Sequence, residues 1–242
     1  MFWPPKSKFD LRAAILECLK LSTNCSKGPH GPIRYWDVSA VTDMSYLFLD
    51  GNAWDAKLLP GADKFIGDLS EWDVSSVTDM AYMFFNAAKF NNDISKWDVR
   101  SVKYMHSMFN GAASFNRDLS KWHVTSVENM SWMFFKATKF DADISKWVTS
   151  KVTNMEGMFN GATSFNRDIS EWDVSAVTTM TGMFKGARSF AQALRGAIWT
   201  ALKASTKVDM TEMFVGSNSN IGGLYYPPLG RWHQLCTWRW WP

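Results

Sequence analysis

Apolar positions recur along most of this chain with one fixed period. The unit is clearest from Phe90 to Phe115, where it reads FNNDISKWDVRSVKYMHSMFNGAASF. Trp72, Trp97, Trp122, Trp147 and Trp172 stand 25 residues apart without slippage, as do Met80, Met105, Met130, Met155 and Met180. Phe65, Phe90, Phe115, Phe140, Phe165 and Phe190 open the units, and 13 of the 14 methionines fall in the frame. Such a period marks a repeat array, in which each unit buries its apolar face against its neighbours. Two shorter periods lie inside the unit. Ile94, Trp97 and Val99 have the spacing of a short strand with alternate residues inward. Val102, Met105, Phe109 and Ala112 run at i, i+3, i+7 and i+10, the inner stripe of a short helix. Ser101 suits the N-cap of that helix, and Asn110-Gly111 and Asn160-Gly161 suit left-handed C-caps. The expected fold class is α/β: a leucine-rich-repeat-like solenoid of about seven 25-residue coils, each with one short parallel strand and one short helix.

Residues 1–31 lie outside the period. Ser7 with Asp10 three residues on forms a helix start, and Leu11, Ala14, Ile15, Cys18 and Leu19 make one apolar stripe. This helix is expected to cap the array, which then occupies residues 32–215. The first coil carries about 11 extra residues between Leu49 and Lys64. A degenerate seventh coil closes at Met213-Phe214. Residues 216–242 are expected to be a covering segment or a disordered tail.

Adjacent coils alternate in type. The turns at Tyr82–Phe85 and Trp132–Phe135 carry extra aromatics, whereas the next coils have Ser107 and Gly157. Large residues of one coil leaning over small ones of the next is the favoured explanation. An exposed aromatic stripe that binds a partner is its rival.

Composition narrows function by exclusion. With 26 basic and 23 acidic residues the net charge is +3, which gives no electrostatic case for nucleic acid or an anionic membrane. No apolar run has the ~20 residues of a membrane span. The stretch from Leu11 to Leu21 is broken by Arg12, Glu17 and Lys20 and does not read as a signal peptide. Cys18, Cys25 and Cys236 lack metal-ligand spacing; Cys18 and Cys25 are either a short bridge or two buried thiols. No cofactor motif, Ser-His-Asp set or paired catalytic carboxylates are present, so no enzyme is expected.

Two polar patterns remain. Asp68, Asp93, Asp118, Asp143 and Asp168 form a column that either ligates calcium or, the favoured reading, bonds free backbone N–H groups at a turn. The outward positions of the expected strand vary from coil to coil, as a binding face would. They hold Glu71, Lys96, Lys121, Lys146 and Glu171, then Asp73, Asp98, His123 and Asp173, with Arg100 beside them. A basic centre flanked by acidic ends makes these the candidate partner-binding residues.

The unit FNxDISxWDVSxVTxMxxMFxxA, with WDVSSVTDM complete at 72–80, resembles the repeat of the BspA-like leucine-rich-repeat surface proteins. The likeness spans about Ile33 to Phe214. It implies a non-catalytic scaffold at the cell surface, acting as a monomer that binds a protein or other cell-surface ligand. The alternatives are a structural spacer or assembly subunit, a calcium-dependent adhesin, and a cytoplasmic location.

Overall fold

A computed structural model describes residues 3–49, 59–194, 199 and 207–218. The chain is a stack of repeating coils, but the coils are not those of an α/β solenoid. Among the described residues there is one α-helix, α1 (Lys8–Leu21), and two short 3-10 turns, Ile33–Tyr35 and Ala62–Lys64. Neighbouring coils meet through single-residue parallel bridges, Asp43 to Asp79 to Tyr104 to Asn129 to Asn154 to Thr179 to Asp209. The expected strand and helix of each coil are both replaced by turns.

The hydrogen bonds explain why. In a helix each N–H finds the carbonyl four residues back in its own segment. In the stretch expected to be helical, Met105, Ser107, Phe109 and Gly111 instead donate to Asn129, Ser131, Met133 and Phe135 of the next coil, at 2.7–3.1 Å. Met108, Asn110 and Ala112 close three-residue turns onto Met105, Ser107 and Phe109. Peptide groups thus alternate between bonding within the coil and bonding along the stack. The alternation requires left-handed backbone at every fourth residue, met by Ser107 (φ 54°) and Gly111 (φ 73°). Gly111 and Gly161 are therefore left-handed as expected, though in turns rather than at helix ends. The expected strand is likewise a pair of turns, closed by Trp97 N–H to Ile94 O and Val102 N–H to Val99 O.

The inward positions are those the periodicity marks. Ile94, Trp97, Val99, Val102, Met105, Phe109 and Ala112 are all at most 3% exposed, and Met108, outside the helical stripe, is buried too. Like residues stack. Phe90, Phe115, Phe140, Phe165 and Phe190 form a column with centroids 5.7–6.2 Å apart. Trp97, Trp122, Trp147 and Trp172 form another at 6.2–6.5 Å. Each tryptophan ring nitrogen also donates into the preceding coil, Trp147 to Leu119 O and Trp172 to Ile144 O at 3.0 Å.

Helix α1 starts at Ser7, whose hydroxyl accepts from Asp10 N–H, and buries Leu11, Ala14, Ile15, Cys18 and Leu19. Cys18 and Cys25 are joined as a disulfide, with Cα atoms 4.9 Å apart. The extra residues of the first coil lie partly, and the C-terminal segment mostly, outside the described residues.

Candidate functional site

The stack presents its outward residues in columns one coil apart, so the candidate face can be followed coil by coil. Glu71, Lys96, Lys121, Lys146 and Glu171 are all exposed, as are Asp73, Asp98, Arg100 and His123; Asp173 is half-buried. Turns in place of strands keep the same residues outward. The acidic members are engaged. Glu71 pairs with Arg34, which also holds Asp68, both at 3.1 Å. Asp73 accepts from the backbone and hydroxyl of Ser75, Asp173 accepts from Ser175 N–H, and Asp98 lies 3.6 Å from Arg100. Lys96, Lys121 and Lys146 make no ion pair among the described residues.

One coil departs from the column. Where the others place Asp or His outward and Val inward, this one exposes Val148 (52%) and buries Thr149. The Thr149 hydroxyl, placed in an apolar slot, donates to Asp173 O at 2.8 Å. An unpaired buried hydroxyl is costly, and this bond removes the cost.

The aspartate column serves the backbone. Asp68, Asp93, Asp118, Asp143 and Asp168 each accept through Oδ1 from the N–H of the serine two residues on, at 2.8–2.9 Å. Bonds from the serine hydroxyl and N–H hold Asp93, Asp118 and Asp168 below the usual carboxylate range. Among the described residues no three His, Cys, Asp or Glu side chains group together as a metal site would need. A neighbouring column does something the sequence reading missed. The Oδ1 atoms of Asn91, Asn116, Asp141 and Asn166 accept from the N–H of the same position in the next coil, at 2.9–3.0 Å. The recurrence of Asn or Asp at this position was the visible signal for such a ladder.

A second surface lies over the Met-x-x-Met-Phe turns. The Trp132 ring covers Gly157: its atoms stand 2.3–2.6 Å from where a Cβ there would project. Tyr82, half-buried, precedes the buried Ser107 in the same column. Large over small thus accounts for Trp132. Tyr82 also stacks on Tyr46 at 4.7 Å and meets His106 edge-on at 5.2 Å. Phe85 and Phe135 are half-buried, with Lys136 4.9 Å from the Phe135 ring centre. Tyr104 (40% exposed) stands where other coils put Asp, Asn or Thr, and His106 beside it has a buried Nδ1 without a partner. Burial of that ring lowers the His106 pKa, with Asp79 opposing.

No helix among the described residues is long and apolar enough to cross a membrane. Seven stacked, unlike-faced coils on one apolar core define a repeat protein. The chain belongs to the family described as "Mycoplasma protein of unknown function, DUF285", whose model matches residues 19–136 and 118–223. No curated protein and no solved structure matches it.

Proposed function

We propose that the chain is a non-catalytic repeat scaffold that binds a protein or cell-surface ligand through the face carrying Lys96, Lys121 and Lys146. The observation that carries this reading is their placement: three exposed ammonium groups, free of ion pairs, at one position of three successive coils. Lysine side chains left unpaired on a rigid frame lose little internal bonding on meeting an acidic partner. Flanking Glu71, Asp73, Glu171 and Asp173 limit the basic patch to the centre of the stack and so favour a partner of matching charge pattern. The Cys18–Cys25 bridge supports display in an oxidising compartment, in keeping with the resemblance to BspA-like surface proteins.

A pull-down from native lysate and surface extract, comparing the wild type with Lys96→Glu, Lys121→Glu and Lys146→Glu combined, tests the reading. Loss of a specific partner at unchanged melting supports it; retention of the same partners removes it. In that event the half-exposed rings of Tyr46, Tyr82, Tyr104 and Phe135 are the second binding surface to mutate, favoured by their clustering on one side of the stack.

A further inference from the structure

Along the Met-x-x-Met-Phe segments the axial N–H groups all point one way. Met80, Tyr82, Phe84 and Asn86 donate to Tyr104, His106, Met108 and Asn110, and the pattern runs on to Met180, Gly182, Phe184 and Gly186, which donate to Asp209, Thr211, Met213 and Val215. This edge of the stack therefore has unlike ends, carbonyls at the first coil and N–H groups at the last. The carbonyl end is filled by cations of the N-terminal helix. The Arg12 guanidinium donates to the carbonyls of Tyr46 and Leu47, and Lys8 Nζ bonds Asp43 Oδ2 at 2.5 Å and Ser45 Oγ at 2.9 Å. At the other end Met210, Glu212 and Gly216 occupy the donor positions, and their N–H groups meet no acceptor among the described residues. The side chains of Val208 and Met210 on the same coil are only partly buried against the core.

We propose that this open N–H edge is the docking surface for the chain's own continuation, residues 219–242, which closes the stack by supplying backbone carbonyls. Three observations select this occupant. The chain leaves the last coil at the open end, where Asn218 N–H bonds Phe190 O at 3.0 Å and its Nδ2 bonds Arg188 O at 2.7 Å. Residues 219–242 contain no Asp or Glu, so their acceptors are chiefly carbonyls, and they carry Trp232, Trp238, Trp240 and Trp241 to cover apolar surface. A second copy offers no free complement, because Arg12 and Lys8 already occupy its carbonyl end. Unpaired edge donors otherwise invite association with another chain.

Amide hydrogen exchange read residue by residue tests this in the full chain, with and without Trp232→Ser, Trp238→Ser, Trp240→Ser and Trp241→Ser combined. The Met210, Glu212 and Gly216 amides are expected to exchange at least ~10-fold faster in the variant, while Gly182, one coil inward, keeps its protection and reports an intact stack. Equal, rapid exchange of the three amides in both proteins overturns the proposal. So does protection that grows with protein concentration, which would assign the edge to a second copy.

Discussion

The indole N–H of Trp122 donates to the carbonyl of Ile94, 28 residues earlier, at 3.0 Å. That bond ties one coil to the last, and its recurrence explains why tryptophan rather than phenylalanine holds this position. Trp122→Phe keeps an aromatic ring but leaves the Ile94 carbonyl buried and unpaired and a gap beside it. The expected loss is about 2–4 kcal/mol, read as a shift in urea midpoint.

Gly157 and Gly182 share a column and a left-handed backbone (φ 58° and 61°), but only Gly157 lies under a tryptophan ring; the nearest atom to a Cβ on Gly182 would be 3.6 Å away. Gly182→Ala is expected to cost about 1–2 kcal/mol from backbone conformation alone. Gly157→Ala should cost about 1–3 kcal/mol more, because the Trp132 ring must move. Adding Trp132→Ala to Gly157→Ala should recover that excess and not the rest, a coupling that a thermal-melt double-mutant cycle reads.

The Asp column sets an acid limit. Asp93, Asp118 and Asp168 have lowered folded pKa values, as does Asp143 through the N–H and hydroxyl of Ser145. Their contribution is complete above the unfolded carboxylate pKa of about 3.9 and is lost as pH falls through the folded values. Stability should hold from pH 7 to about 5 and decline below about 4. Asp118→Asn, which keeps the acceptor oxygen, should reduce the steepness of that decline. Chelator should leave the melt unchanged, since these Oδ1 atoms already serve the backbone.

The disulfide closes a loop across seven positions at the end of helix α1. The chain-entropy account gives about 2 kcal/mol for a loop of this size. Reductant should lower the melting temperature of the wild type and leave that of Cys18→Ser, Cys25→Ser combined unchanged.

Much of the molecule is legible from residue order. The 25-residue period marks the coils, and the inward residues, the first helix and the left-handed glycines follow from spacing and side-chain type. The aspartates at turns follow from the short reach of their carboxylates. What spacing leaves open is the path of the backbone. An inner stripe at i, i+3, i+7 and i+10 fits a helix, and it fits a run of three-residue turns equally well. The choice rests on where the N–H of Met105 or Ser107 finds its carbonyl, in its own segment or in a coil 25 residues on. Only the stacked neighbour, with Asn129 and Ser131 in range, makes the second option available. The same holds for the Asn91–Asn116 ladder, for Trp132 over Gly157 and for the Cys18–Cys25 bridge. Each joins groups that chain order separates and that burial of the apolar columns brings within bonding distance.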